Sequence, residues 1–216
     1  MAAPSKKSPY RLLVEGDDDK HSIIHLMERH GFDWNDERRD RPFISPEDGV
    51  ERLLDAVPIT LKGTYKRIGI VLDANSSLAN RWAQVRHHAN RAGITLPGSP
   101  DLQGTLVDGR QPGSRVGVWL MPDNSSPGSL ENFLGDLVPV EHPVWAYAGE
   151  ATAKARQLGA ECPEKDHLKS RLHTWLAWQK EPGLPFGIAI KAEFFEKESE
   201  AARRFVAWFN RLFVEA

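Results

Sequence analysis

The chain has a single cysteine, Cys162, in 216 residues. That excludes an intrachain disulfide framework and suits a reducing compartment. It has no apolar run approaching the roughly 18 residues of a membrane span, so no transmembrane helix is expected. No apolar segment precedes Leu12, and a lead-in carrying Lys6 and Lys7 does not read as a secretory signal; a cytoplasmic protein is expected. Net charge is also scarce: 28 Lys and Arg against 30 Asp and Glu leave −2. This does not announce a nucleic-acid binder, although a local basic face remains compatible with it. There is no internal repeat and no low-complexity tract. There is no G-x-x-x-x-G-K-[ST] loop either, which counts against a small-molecule phosphotransferase.

What is present is ordinary in amount and ordered in pattern. Apolar residues make up 40% and charged residues 27%, as in a soluble domain or a domain with an appendage. Met1 to Pro9 is polar and reads as a flexible N-terminus. Tyr10 to Glu15 reads as a first strand and Lys20 to His30 as a helix ended by Gly31. Phe43 and Ile44 make a short second strand. Ser45 then caps a helix carrying Val50, Leu53, Leu54 and Val57, closed by Pro58. Lys66 to Leu72 is nearly continuous apolar sequence, the mark of a strand covered on both faces. Ser76 or Ser77 caps a helix over Leu78 to Ala92. A short strand over Thr105 to Val107 and a strong one over Val116 to Met121 follow, then a helix starting near Ser129.

From Val144 the chain turns helical, over Val144 to Leu158, Lys165 to Gln179 and Ser199 to Phe213, with Phe186 to Ile190 either a short helix or an extended piece. Four of the seven tryptophans, Trp145, Trp175, Trp178 and Trp208, lie in this last third and suggest a packed helical core. The alternation of strand and helix predicts a parallel sheet wrapped by helices over residues 10–140, with a helical C-terminal extension, 141–216, packed on it.

Three predicted strands end in acids: Glu15, Asp73 and Asp123. Two more acids, Asp19 and Glu131, follow in helix starts. Around the first strand end the acids are dense, four in the five positions Glu15 to Asp19. Asp17 and Asp18 suit the N-terminal dipole of the helix as caps; Glu15, at a strand end, has no helix N–H groups to cap. In an open α/β sheet ligands bind beyond the carboxyl ends of the strands. Carboxylates gathered there repel one another unless a cation relieves them. An all-oxygen set points to Mg²⁺ or Mn²⁺ rather than zinc. His21 and His25, four apart, have zinc-ligand spacing but lack a third partner, so a solvated helix face is the default.

Leu12 to Asp19, with Glu15 after the strand and Asp19 four residues later, resembles the first motif of Toprim domains, in the E-x-x-x-D form of OLD-type (overcoming lysogenization defect) nucleases. Val71 to Asn75 is similar to the second motif, usually D-x-D, and Met121 to Phe133, with Asp123 and Glu131, to the third acidic segment. A closer resemblance is to a small Toprim-like family of unknown function, whose members share the Met-Pro-Asp-Asn stretch, a Leu-Glu pair soon after, and the Leu-His-Thr-Trp-Leu-Ala-Trp segment, here Leu172 to Trp178. It covers nearly the whole chain.

The resemblance implies a three-layer, Rossmann-like Toprim sheet and metal-dependent chemistry on nucleic acid, DNA or RNA. No topoisomerase tyrosine domain or primase zinc segment is visible, so a nuclease is the leading expectation. Relatives often work beside ABC-type ATPases in anti-phage defence; here such an ATPase would be a separate polypeptide.

In that reading Glu15 is a metal ligand or general acid/base, Asp73 a shared ligand, and Asp19, Asp123 and Glu131 complete the metal shells. Asn75 departs from the pattern, since it offers a carbonyl oxygen without charge. A positive group must offset charge growing on the phosphate. Lys169, four residues before His173 on a late helix, is the candidate, with Lys20 the alternative. Arg81, Arg86, His87 and His88 form a basic helix that either contacts substrate or is simply solvated. The competing expectation is a non-catalytic or partner-activated module. Its docking surface would come from Trp175, Trp178 and Trp208 unless these are core, and self-association through such a surface would make it an oligomer.

Overall fold

The computed structural model describes residues 8–36 and 40–215. Most of the expected flexible lead-in, residues 1–7, lies outside them. Ser8 and Pro9 are described, and the Ser8 hydroxyl donates to the Arg41 carbonyl.

Five strands, β1 (Tyr10–Val14), β2 (Phe43–Pro46), β3 (Arg67–Asp73), β4 (Thr105–Asp108) and β5 (Arg115–Met121), form one sheet in the order β2-β1-β3-β5-β4. The first four in that order run parallel; β4 pairs antiparallel with β5 across the connecting turn, residues 109–114. Helices α1 (Asp17–Arg29), α2 (Val50–Lys62) and α3 (Leu78–Asn90) connect the parallel strands. Helices α4 (Leu130–Gly135), α5 (Pro143–Gln157), α6 (His167–Leu176), α7 (Phe186–Lys191) and α8 (Glu200–Phe213) follow the sheet.

The strands alternate faces, and the two faces bury different helices. Leu13, Ile68, Ile70, Leu72, Val116, Val118 and Leu120 pack with α2 and α3. Leu12, Val14, Val71, Trp119 and Met121 pack with α1 and α4 to α8. The result is three layers with the sheet in the middle. The C-terminal helices share one hydrophobic cluster with α1 and the sheet. Trp175 and Trp208 are wholly buried in it, whereas Trp178 is 45% exposed and stacks on Tyr147.

Strand interiors are glycine-poor except at Gly69 and Gly117, which are register partners on β3 and β5. A Cβ on Gly117 would lie 2.5 Å from Leu212 Cδ2, and one on Gly69 would lie 3.0 Å from Phe213 Cζ. The pair forms the trough that seats α8.

Several expected boundaries move. Ser45 lies within β2, and Gly49 rather than Ser45 precedes α2. Pro58 does not close that helix: α2 runs on to Lys62. The missing N–H breaks one rung of the helix, and burial of the proline ring beside Leu54 and Leu61 on the core face offsets it. The helix expected over Lys165 to Gln179 is a 3₁₀ turn, Glu164–Asp166, followed by α6, which ends at Leu176. Phe186 to Ile190 is helical, as part of α7.

The sheet order fixes where a ligand belongs. The β1–α1–β2 crossover moves one way across the sheet, and the next, β2–α2–β3, moves back past β1. The topological switch point is therefore the crevice between β1 and β3, at their carboxyl ends.

Candidate acidic site at the sheet switch point

Glu15 follows β1 and Asp73 ends β3, so the two acids flank the switch point. They are joined directly: Glu15 Oε1 accepts the backbone N–H of Asp73 at 2.8 Å. Asp73 Oδ1 in turn accepts the N–H of Leu130, the first residue of α4, at 2.9 Å. Asp19 sits in the first turn of α1, and its Oδ2 accepts the N–H of Gly16 at 3.0 Å. This makes Asp19, rather than the exposed Asp17 or Asp18, the acid that closes the helix start. Each of the three carboxylates is thus held by one oxygen on a backbone donor. Among the described residues the second oxygens of Glu15 and Asp73 accept no hydrogen bond, and Asp19 Oδ1 is buried with no partner.

Glu131, in the first turn of α4, completes the cluster. Its Oε2 accepts from the Ser129 hydroxyl at 2.7 Å, and its Oε1 lies 3.3 Å from Lys169 Nζ on α6. Glu15, Gly16, Asp17, Asp18, Asp19, Asp73, Leu130, Glu131 and Lys169 line an open cavity of about 370 Å³. A larger cavity, of about 800 Å³, opens elsewhere among Tyr10, His30, Asp33, Asp40, Arg41 and Glu215 and holds none of the candidate residues.

The cluster is electrostatically uncomfortable. Burial, and then the charges of Glu15, Asp19 and Glu131, push Asp73 up to about 8. Burial, and then the Glu15 charge, push Asp19 up to about 7. Burial also raises Glu15, against the opposing pull of the Asp73 N–H and the Arg81 guanidinium. Two cations face these acids. Lys169 is one. Arg81 is the other: its Nε donates to the Asp73 carbonyl at 2.8 Å, which turns the guanidinium toward the strand end.

Other predicted site residues lie apart. Asp123 does follow β5, but its Oδ1 accepts the N–H groups of Ser125 and Ser126 at 2.9 and 2.7 Å, and it does not line the cavity. Burial would raise this carboxyl; the serine donors outweigh it and hold it below the usual range. Asn75 is exposed in a left-handed turn (φ 52°) whose backbone pairs with Gly128 in both directions, and it too is outside the cavity. Arg86, His87 and His88 lie one to two turns beyond Arg81, roughly 8–10 Å further along α3. Lys20 faces Asp17 at 3.8 Å, and His173 stacks on Phe186. His25 is buried with Nδ1 2.7 Å from Glu28 Oε2, while His21 is exposed; the solvated face expected for both holds for His21 alone. Ser129 and the Leu130 N–H, which hold Glu131 and Asp73, were missed; the Ser129-x-Glu131 spacing at a helix start was their signal.

A family described as a protein of unknown function (DUF3226) matches residues 9–214. The chain belongs to that family. No curated protein and no solved structure matches it. The match spans every residue of the acidic cavity, from Glu15 to Lys169, together with the helices that back it.

The residues suit a hard cation in charge and donor chemistry: carboxylate oxygens only, one of them buried without a partner. Among the described residues, no three His, Cys, Asp or Glu side chains are arranged to hold a metal ion as they stand.

Proposed function

We propose that the protein is a Mg²⁺- or Mn²⁺-dependent phosphodiesterase of the Toprim type, a nuclease acting on DNA or RNA. The observation that carries the reading is the set of backbone-anchored carboxylates, Glu15, Asp19 and Asp73, at the switch point of a parallel sheet, each with a second oxygen left over. Held at such raised pKa values, these acids carry a cost that a divalent cation removes.

Glu15, Asp19 and Asp73 would hold the ion, which supplies Lewis-acid polarisation of a phosphate oxygen and a more acidic bound water. The remaining roles belong to the chain itself. Lys169 stands at the mouth of the cavity, where its ammonium meets the anionic group of a substrate. Glu131 fixes that ammonium and is itself fixed by Ser129. Arg81 holds the β3–α3 turn through the Asp73 carbonyl and favours an ionised Glu15, which suits Glu15 to accept a proton. Asn75 and Asp123 have no part in this site.

The test is cleavage of supercoiled plasmid, single-stranded DNA and transfer RNA with Mg²⁺, Mn²⁺ or EDTA. Metal-dependent cleavage that vanishes in a folded Glu15→Ala protein is the expected result. A well-folded wild type inert with every metal and substrate sinks the reading.

One observation favours a second reading, a partner-activated module that docks on a separate ABC-type ATPase, as in anti-phage defence pairs. Tyr147 and Trp178 stack on each other in the open on the α5 and α6 side of the molecule.

A further inference from the structure

The carboxyl edge of the sheet gathers acids; at the amino edge five cations gather along β1, β3, β5 and the β4–β5 turn, beside a cavity lined by Tyr10 and Arg41 together with Asp33, Asp40 and Glu215. They are Arg11 on β1, Lys66 and Arg67 at the start of β3, Arg115 at the start of β5 and Arg110 in the β4–β5 turn. The turn is tied to the strand starts: Arg115 N–H donates to the Lys66 carbonyl at 2.9 Å, and Arg67 Nη1 donates to the Gly113 carbonyl at 2.8 Å. Arg67 and Arg115 are register partners on adjacent strands, so two like charges stand side by side on one face. Such a pair is unfavourable unless something offsets it. No protein carboxylate does so: among the described residues none of the five forms an ion pair, although Asp108 is the register partner of Arg115. The hydrogen bonds of Arg67 go only to backbone carbonyls, all through Nη1, and its other N–H groups are left over.

Aromatic rings are interleaved with these cations. The Arg11 guanidinium lies 4.6 Å from the Phe43 ring centroid and 5.0 Å from that of Tyr65, and donates to the Tyr65 hydroxyl at 2.6 Å. Arg67 lies 6.0 Å from the Tyr10 ring centroid. Guanidinium forks match phosphate oxygens in pairs, and aromatic rings set among cations are the composition of surfaces that hold single-stranded nucleic acid.

We propose that the amino edge of the sheet is a docking surface for the phosphodiester backbone of single-stranded nucleic acid, separate from the acidic site. Arg67 and Asp73 are six residues apart on one strand, so the two edges lie about 20 Å apart. The surface shares its ligand class with the proposed nuclease but needs no metal, so either proposal can fail without the other.

The test is fluorescence anisotropy of a labelled 20-nucleotide single strand with the full chain in EDTA. Lys66→Glu/Arg110→Glu alters two exposed side chains and leaves the strand interiors intact. The expected result is binding weakened by about tenfold or more with an unchanged melting curve, and a salt dependence shallower by about 1.4 in log K against log salt. Binding in Lys154→Glu, which reverses an exposed cation on α5, is expected to equal wild type. If the double variant melts early, Arg110→Gln alone repeats the measurement. No binding by the wild type, unchanged binding in the variants, or displacement by polyglutamate as effective per charge as by unlabelled oligonucleotide would overturn the proposal, the last in favour of an acidic protein partner.

Discussion

Asp73 carries the largest cost in the acidic cavity, and that cost has a measurable sign. Folded Asp19 and Asp73 hold their protons to about pH 7 and 8, against an ordinary 3.8. Between those limits the folded state binds more protons than the unfolded chain, so stability falls as pH rises from about 4 to about 8. Melting in EDTA is expected to show a lower Tm at pH 8 than at pH 5, and millimolar Mn²⁺ at pH 8 is expected to restore it; a flat profile counts against the charge cluster. Asp73→Asn keeps the Leu130 N–H satisfied and removes the charge. At pH 8 without metal it is expected to raise Tm by about 5 °C or more, and to abolish the Mn²⁺ response.

Lys169→Met tests the other sign of charge. Its ion pair is half-exposed and worth under about 1 kcal/mol, so the melting curve should barely move, while any cleavage activity is expected to fall about 100-fold. At this scale the sequence was partly legible. Glu15 and Asp73 could be read because an apolar run ending in an acid is visible. Asp123 looked identical and is not part of the cavity, because the serines that follow it supply the N–H groups that take up its carboxylate.

Elements were legible where one period dominated. The strand from Arg67 and the helix from Leu78 were plain, since apolar runs and helical spacing are local properties. α2 was cut short because proline is a helix breaker in isolation, and only burial on the core face lets Pro58 stay inside. The seat of α8 was hidden for another reason. Gly69 and Gly117 lie 48 residues apart, and only strand register makes them one trough. Gly117→Val drives a side chain into Leu212 and Trp208. The expected cost is about 3 kcal/mol of overpacking, a Tm lower by roughly 6–12 °C, with α8 more exposed to hydrogen exchange than α2. Equal loss of protection in α2 and α8 would show that the trough is not a local seat.

For the whole molecule, strand and helix alternation announced the layered sheet, because both faces must be covered. The strand order was not announced, nor was the reversal of β4, since short apolar strands carry no label for their neighbours. The C-terminal helices read as an addition, and in the structure they form one face of the same core.

The cations of the amino edge and the acids of the carboxyl edge have a consequence beyond either surface. Above about pH 8, where Asp19 and Asp73 are ionised, the acids of one edge and the cations of the other, held about 20 Å apart in a chain of net charge −2, give the molecule an electric dipole along its strands. Copies in dilute buffer should then attract head to tail. Light scattering at 10 mM salt is expected to show reversible, concentration-dependent association that disappears near 0.15 M, where screening falls to about 8 Å. Lys66→Glu/Arg110→Glu should remove it at any salt, and association that grows with salt instead would point to an apolar contact such as the Tyr147 and Trp178 pair.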